Sequence, residues 1–274
     1  MAETIEDIRK RVKQAQEHYW GNVEKLENML LLERGFITKK PENEDVVVLC
    51  SGGLDSSVMV AMIIDEWDVK VHPLFIRRGA RAEKYEEQAF DFFVDFYRKR
   101  FPKNIGEAAK LAYEIPPRQF KEHFPKELAL TVGHPLRNST MQNLAVMYAV
   151  ALNSKHDLDI RTVLSGSVEE DNTEPELGLL SLRAQTFSTC VQLGDWRWQI
   201  TSPLTDYELR SERGELYKPD LIEYAIASNI PLDKTRTCFS ADETADGTCF
   251  ACMKRLRAFE AAGVKDPIPY KGGK

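Results

Sequence analysis

The sequence predicts an α/β fold in which a doubly wound parallel sheet is covered by helices on both faces. Short apolar runs rich in valine, isoleucine and leucine alternate with longer segments whose apolar residues recur at helical spacing. Repeated strand-then-helix units of this kind build a parallel sheet with helices on either side. The first predicted strand also runs directly into a glycine turn and a helix, an arrangement typical of the ligand-binding edge of such sheets.

The alternation of strands and helices occupies most of the chain. Strands are predicted at residues 46–50, 69–76, 111–115, 160–164 and 198–201. Helices are predicted at residues 56–67, 82–100, 138–153, 175–193 and 213–228. The sequence contains no internal repeat and no low-complexity segment, so one α/β domain accounts for the pattern.

A helical extension is predicted before the first strand. Residues 4–32 carry apolar side chains at helical spacing, and Gly21 marks a point where this helix could divide in two. Residues 38–45 read as a polar linker. We therefore divide the chain into an extension at residues 1–44 and an α/β domain at residues 45–274. The extension is expected either to pack on the domain as a cap or to contact a partner, such as a second copy in a homodimer.

The composition argues against several classes of protein. Of the 274 residues, 43% are hydrophobic and 29% are charged, which is typical of a globular protein. The net charge of −6 disfavours nucleic acid as a main partner, because large contacts with its backbone need a basic face. No apolar run approaches the roughly 20 residues of a membrane span, and the N-terminus is acidic and amphipathic, unlike a signal peptide. A cytoplasmic location without a membrane partner is expected.

The glycine turn carries the strongest functional motif, in the segment VVVLCSGGLDSS. A helix start presents free backbone N–H groups and a positive dipole end, which favour anions, and glycines let the backbone approach phosphate oxygens. Asp55 is expected to hold the loop or to bind Mg²⁺. The motif is neither Walker A nor the dinucleotide fingerprint GxGxxG. The candidate phosphate-binding residues are Ser51, Gly52, Gly53, Leu54, Asp55, Ser56 and Ser57.

Three of the five cysteines cluster near the C-terminus, where Cys238 precedes the CxxC pair of Cys249 and Cys252. An odd number of cysteines with a CxxC pair indicates a metal site more than disulfides. Zinc takes four ligands, and no cysteine or histidine lies between Cys238 and Cys249. Candidates for the fourth ligand are Asp246 and, as weaker alternatives, Asp242, Glu243 or water.

The motif SGGLDSS resembles the PP-loop signature of the ATP-pyrophosphatase superfamily, and three further segments resemble one family within it. Residues 134–138 read HPLRN, similar to VPGRN, and residues 164–171 keep a glycine-to-aspartate spacing after a strand. The segment from Cys238 to Tyr270 is similar to a pattern of CxxC, RxxAFxxAGxxDP and a final tyrosine. Over residues 45–270, the chain resembles the 7-cyano-7-deazaguanine synthase (QueC) family, as a divergent member.

This resemblance implies a HUP-like sheet (adenine nucleotide α-hydrolase-like) with a zinc knob at residues 237–253. ATP and Mg²⁺ would lie over the PP-loop, with Ser51 and Asp55 as catalytic residues. Arg213 would replace the lysine of the family's KAEI segment as a phosphate-binding cation. Zn²⁺ would be held by Cys238, Asp246, Cys249 and Cys252, with Asp246 standing where the family has a cysteine. The substrate-binding candidates are Arg137, Asn138, Glu169 and Asp171.

The implied reaction converts 7-carboxy-7-deazaguanine and ammonia into the amide and then the nitrile, using ATP twice and releasing pyrophosphate. Besides Asp246 and Arg213, two segments depart from the family: its substrate loop YPDCR reads EPELG at residues 174–178, and its DYGQ reads IRRGA at residues 76–80. These departures leave two alternatives open. One is a ligase of an antiviral defence (CBASS-type) operon that joins the deazaguanine acid to a protein amine. The other is a catalytically inactive nucleotide-binding module.

Overall fold

The computed structural model describes residues 4–125, 134–210 and 214–272, which contain a five-stranded sheet. The strands are β1 (Asp45–Leu49), β2 (Lys70–Arg77), β3 (Ala109–Ala112), β4 (Thr162–Leu164) and β5 (Gln199–Thr201). Their order across the sheet is β3-β2-β1-β4-β5, and every neighbouring pair is parallel. Because the chain winds outward from β1 in both directions, the prediction of a doubly wound parallel sheet is confirmed.

Helices separate the strands and extend beyond them at both ends. They are α1 (Ile5–Arg34), α2 (Leu54–Trp67), α3 (Glu83–Arg100), α4 (Arg118–Lys121), α5 (Arg137–His156), α6 (Leu179–Leu193), α7 (Lys218–Ala227) and α8 (Phe250–Ala261). Short 3₁₀ turns lie at Glu169–Thr173, Tyr207–Leu209 and Leu232–Lys234. Within the described ranges, every helix is too short or too polar to cross a membrane.

The side chains of β1 alternate between two apolar cores, one on each face of the sheet. Val46 and Val48 pack with residues of α2, α3, α7 and α8, whereas Val47 packs with residues of α5 and α6. All three valines are fully buried. A strand that is covered on both faces needs an apolar residue at each position, which explains the unbroken run of valines.

The helical extension is one continuous helix, so the expected division at Gly21 is wrong. A capping box between Thr4 and Asp7 begins α1, and Gly35, in the left-handed conformation, ends it. Gly21 is exposed, and a single interior glycine costs only about 1 kcal/mol relative to alanine. Packing of the flanking residues Val12 and Val23, both buried, outweighs that cost. The helix contacts α6 and the Glu169–Thr173 turn, as expected of a cap on the domain.

Several element boundaries differ from those predicted, and three of these differences have a clear structural cause. β3 covers Ala109–Ala112 instead of residues 111–115, because it pairs with the last four residues of β2. α6 begins only after Gly178, which is extended, so that residues 174–178 form a loop. α7 begins at Lys218 instead of residue 213. Asp220 Oδ2 caps this helix start by accepting a hydrogen bond from Tyr217 N at 2.7 Å.

Candidate functional site

The SGGLDSS segment leads from the end of β1 into the first turn of α2. Gly52 has φ 70°, and a Cβ on it would lie 2.5 Å from the backbone oxygen of Glu86, so only glycine fits. Ser51 Oγ accepts a hydrogen bond from Gly53 N at 3.2 Å, and Ser56 Oγ accepts one from Ser51 N at 3.3 Å. Gly53 has no side chain to cap α2, so the first N–H groups of the helix remain available to an anion.

The loop that follows β4 contacts the first turn of α2, within the SGGLDSS segment. A Cβ on Gly166 would lie 2.9 Å from Ser56 N, so glycine allows this close approach. The hydroxyl of Ser165 is buried there and has no hydrogen-bond partner among the described residues. Since the winding direction reverses between β1 and β4, the two loops border the crevice where ligands bind in open α/β sheets.

Asp55 forms an ion pair at this crevice with Lys218, the first residue of α7. Asp55 Oδ2 accepts a hydrogen bond from Lys218 Nζ at 2.5 Å, while Asp55 Oδ1 is buried without a partner in the described part of the chain. Burial lowers the pKa of Lys218, but the negative charges of Asp55, Asp171 and Glu170 outweigh that effect and raise it. Lys218 is therefore a cation at neutral pH.

The sequence prediction placed the phosphate-binding cation at Arg213, which lies outside the described residues. Lys218 was missed, although a sequence signal for it exists. The segment from Lys218 to Leu221 reads KPDL and matches the family's KAEI in its lysine, acidic and aliphatic positions. The match is better than that of the segment RGEL beginning at Arg213, because it preserves the lysine.

The acidic residues after β4 divide between two surroundings. Glu169 is fully buried and pairs through Oε1 with Arg210, while its Oε2 accepts hydrogen bonds from Asn172 Nδ2 at 2.8 Å and Gln16 Nε2 at 3.1 Å. It therefore faces Arg210 and α1. Its neighbour Glu170, which the sequence prediction did not include, accepts a hydrogen bond from Lys218 N at 3.2 Å.

Asp171 lies on the same side as Glu170. Its carboxylate lies 3.7 Å from the ammonium of Lys254, which also binds Glu174 at 2.6 Å. Asp171 is among the charges that raise the pKa of Lys218. The charge of Asp171 therefore acts on Lys218, whereas the carboxylate of Glu169 contacts Arg210 and α1.

The predicted pair Arg137 and Asn138 begins α5 and contacts the loop at residues 174–178. Glu176 Oε2 accepts a hydrogen bond from Asn138 Nδ2 at 2.8 Å and lies 3.9 Å from Arg137 Nη2. Burial lowers the pKa of Arg137, against the opposing effect of Glu176. The contact between these segments depends on the tertiary fold, so Glu176 was not identified from sequence.

A second ion pair connects this cluster to the glycine turn. Arg78, just after β2, donates two hydrogen bonds to Glu86, at 3.0 and 3.1 Å. Burial raises the pKa of Glu86, whereas the positive charges of Arg78, Arg236 and Arg137 act to lower it. The backbone oxygen of Glu86 is the atom that excludes a side chain at Gly52. The Arg137 cluster and the phosphate-binding loop therefore adjoin one another.

The four predicted metal ligands come together near the C-terminus. One ligand atom from each of Cys238, Asp246, Cys249 and Cys252 lies within 4.8 Å of the others. Cys238 Sγ accepts hydrogen bonds from the backbone N–H groups of Ser240 and Asp246, each at 3.3 Å. Such N–H donors stabilise thiolates, and tetrahedral zinc needs ligands about this close together. All five cysteines of the chain are free, and this donor set could hold a metal ion.

Asp246 is held in place by the CxxC turn. Its Oδ1 accepts hydrogen bonds from Thr248 N at 2.7 Å and Cys249 N at 2.8 Å, which lower the pKa of Asp246 to about 2. The metal cluster is also joined to the phosphate-binding loop, because Arg236 N donates to Gly52 O at 2.8 Å. The segment that leads into the cysteine cluster thus contacts the phosphate-binding loop.

A doubly wound parallel sheet with SGGLDSS at the reversal point, next to a cysteine-rich knob, defines a PP-loop protein of HUP-like fold. A protein-family model described as "Queuosine biosynthesis protein QueC" matches residues 45–263. The chain belongs to the QueC family, of which it is a divergent member. The helix α1 lies outside the matched segment.

Curated relatives are similar over nearly their whole length. A 7-cyano-7-deazaguanine synthase from Chloroherpeton thalassium is 31% identical, over 82% of this chain and 96% of its own. A protein of the same name from Thermoplasma acidophilum is 30% identical, over 84% of this chain and 93% of its own. Among solved structures, NMN synthetase from Francisella tularensis matches with a TM-score of 0.45 at 14% identity, over 89% of this chain and 86% of that chain.

Proposed function

We propose that this protein uses ATP to activate the carboxylate of 7-carboxy-7-deazaguanine as an adenylate and converts it, with ammonia, to 7-cyano-7-deazaguanine. The observation that carries the proposal is the Asp55–Lys218 pair beside the SGGLDSS loop at the reversal point of the sheet. The curated relatives named 7-cyano-7-deazaguanine synthase support the choice of product.

ATP phosphates would be bound by the N–H groups and hydroxyls of residues 51–57, with Lys218 neutralising negative charge. Mg²⁺ prefers oxygen ligands, and the buried Oδ1 of Asp55, without a partner among the described residues, suits it. The ion would supply further neutralisation of the phosphates. The buried hydroxyl of Ser165, which also lacks a partner among the described residues, could donate a further hydrogen bond to the phosphates. Arg213 stays a candidate for the same role.

The chemistry needs no protein nucleophile. A carboxylate oxygen of the substrate attacks the α-phosphorus of ATP, and pyrophosphate leaves. Ammonia then displaces AMP from the acyl-adenylate to form the amide, losing a proton. In the second round, the amide oxygen attacks the α-phosphorus of a second ATP, and pyrophosphate leaves. Elimination of AMP from the adenylated amide, with loss of its remaining N–H protons, then gives the nitrile. Positioning of the reactants and fixed positive charge would account for most of the rate.

The proposal puts the deazapurine ring beside Arg137 and Asn138, with Asp171 near the reacting end. Glu169 has a different role, because Arg210, Asn172 and Gln16 occupy its oxygens. We propose that Glu169 holds α1 against the domain beside the site, through its contact with Gln16. This assignment replaces the expectation that Glu169 contacts the substrate.

Zinc is the metal that we propose for the cysteine cluster, with Asp246 as the fourth ligand. Three thiolates and one carboxylate suit a closed tetrahedral site. Such a site stabilises a loop that has few apolar residues to bury. Its function would be to hold residues 236–238 against Gly52.

The proposal is tested by incubating the protein with ATP, Mg²⁺, ammonium and 7-carboxy-7-deazaguanine. We expect pyrophosphate release that depends on the acid, and mass spectrometry should identify the nitrile with two pyrophosphates released per molecule. A protein whose mass increases by the deazaguanine acyl group would instead identify a protein amine as the acceptor. Absence of acid-dependent pyrophosphate release would contradict the adenylation proposal itself.

A further inference from the structure

Glu176 presents a carboxylate oxygen that lacks a donor. Its Oε2 accepts from Asn138 Nδ2 at 2.8 Å, but Oε1 is buried and has no hydrogen-bond partner in the described part of the chain. The side chain is only 12% exposed, so water does not fully replace a partner. A buried acceptor of this kind is unfavourable unless a ligand brings a donor to it.

A positive group lies beside this acceptor. Arg137 Nη2 lies 3.9 Å from Glu176 Oε2, the oxygen that also accepts from Asn138, which leaves Oε1 free for a ligand donor. Arg78 is engaged by two hydrogen bonds with Glu86, so Arg137 is the neighbouring cation without such a bidentate described partner. The site therefore offers a hydrogen-bond acceptor, Glu176 Oε1, next to a hydrogen-bond donor, the guanidinium of Arg137. A ligand that fits it carries a donor and an acceptor side by side on one edge.

The edge of a guanine-type ring has this pattern, with ring N–H and exocyclic amine donors beside a carbonyl acceptor. An adenine-type ring offers a bare ring nitrogen at the same position, which would face the carboxylate with a lone pair. We infer that Glu176 is a specificity-determining residue that accepts hydrogen bonds from the ring N–H and amine of the substrate, while Arg137 donates to the carbonyl. This inference rests on the proposed function and specifies how its substrate is selected.

Loss of a substrate donor should be costly, because it leaves the buried carboxylate unpaired. Sites that are built to bind a hydrogen-bonding group discriminate strongly against analogues without it. The natural comparison is between 7-carboxy-7-deazaguanine and the same acid without its 2-amino group. We expect the unsubstituted protein to prefer the first acid in kcat/KM by at least about tenfold, because hydrogen bonds to a charged group contribute that much or more.

The variant Glu176→Gln tests the residue directly. It keeps the size of the side chain, and its carbonyl can still accept from Asn138, but it then presents an NH₂ group to the substrate donors. We expect kcat/KM for 7-carboxy-7-deazaguanine to fall by about 10- to 150-fold, as for a lost hydrogen bond to a charged group. The kcat/KM for the acid without the amino group should fall less, so the ratio of the two kcat/KM values should decrease. The KM for ATP should stay unchanged.

Glu174→Gln is the matched control, since it neutralises a carboxylate of the same loop that pairs with Lys254. It should leave the preference between the two acids unchanged. A Glu176→Gln protein that keeps the preference of the unsubstituted protein would overturn the inference. Equal kcat/KM of the unsubstituted protein for both acids would overturn it without any variant. Absence of pyrophosphate release with either acid is a separate result, which contradicts the proposed function.

Discussion

Asp55 and Lys218 show how one pair of side chains links two distant segments at the candidate site. Asp55 lies in the first turn of α2, whereas Lys218 begins α7, and the 2.5 Å contact between their side chains joins the two helices. The nearby carboxylates raise the pKa of Lys218, so its charge persists across the neutral range. A fixed cation next to the phosphate-binding loop is the kind of group that stabilises charge as it develops in a transition state.

Lys218→Met should therefore reduce acid-dependent pyrophosphate release strongly. We expect a fall in kcat of about 10²- to 10³-fold, the effect typical of removing one preorganised charge-stabilising group. Steady-state pyrophosphate assays measure this change. Lys234→Met is the control, because Lys234 pairs with Asp233 on the surface and is half exposed. Equal loss of activity in both variants would show that the effect of Lys218 is not specific to the site.

Asp246 is the fourth ligand that we propose for the metal site. Asp246→Ala should leave a site of three thiolates and water, which retains zinc more weakly than four protein ligands do. The release of zinc to a chelating dye, followed over time, should be faster in this variant. Asp233→Ala is the control, since Asp233 is a half-exposed partner of Lys234 and lies outside the cysteine cluster. Identical release from both variants would exclude Asp246 as a ligand.

At the scale of elements, α1 is joined to the domain by a buried ionic cluster. Arg183 on α6 donates to Glu27 of α1 at 2.9 Å and to Asp206 at 2.6 and 2.7 Å. Asp206 has no exposed surface, and Thr38 and Thr201 also donate to it. Removal of one partner would leave the other charge buried and unpaired, so the contact between the extension and the domain depends on every charge of the cluster.

Asp206→Asn should destabilise the protein by about 3–5 kcal/mol, because Arg183 would stay buried without its main partner. Urea unfolding at neutral pH measures the free energy. Asp159→Asn is the control, because Asp159 pairs with Arg161 and Arg197 at an exposed position where such pairs contribute at most about 1 kcal/mol. Similar losses in the two variants would contradict the structural importance of the buried cluster.

The same carboxylate predicts how stability changes with pH. Burial raises the pKa of Asp206, but hydrogen bonds and the charge of Arg183 outweigh it, so the pKa is lowered below its ordinary value of 3.8. A lowered pKa means that the stabilisation is present at neutral pH and is lost as the pH falls below about 4. The difference in unfolding free energy between the native protein and Asp206→Asn should therefore narrow in acid. A constant difference from pH 7 to pH 3 would contradict this role.

The elements themselves were largely predictable, since all five strands and the long helices follow apolar periodicity that is local in sequence. The starts of α6 and α7 were not, because they depend on the extended Gly178 and on the cap from Asp220. The expected break at Gly21 failed for a similar reason. Packing along α1 and its two caps outweigh the weak helix propensity of one glycine.

At the scale of the whole molecule, the site is assembled from segments that are far apart in the chain. The phosphate-binding loop and the cysteine cluster could be recognised from sequence because each is a compact motif. Glu170 and Glu176 could not be assigned in that way, since their roles arise only when the Glu169–Thr173 turn meets α7 and the loop at residues 174–178 meets the start of α5. Lys218 was missed although the KPDL segment signals it. Glu169, adjacent in sequence to Glu170, faces α1 instead.

The central claim is that a carboxylate oxygen of the substrate attacks the α-phosphorus of ATP. It is tested most directly with 7-carboxy-7-deazaguanine whose carboxyl group carries ¹⁸O, followed by mass spectrometry of the nucleotide and phosphate products. Adenylation predicts AMP that contains one ¹⁸O atom and pyrophosphate that contains none. Label in inorganic phosphate together with ADP, or unlabelled AMP, would contradict adenylation of the acid.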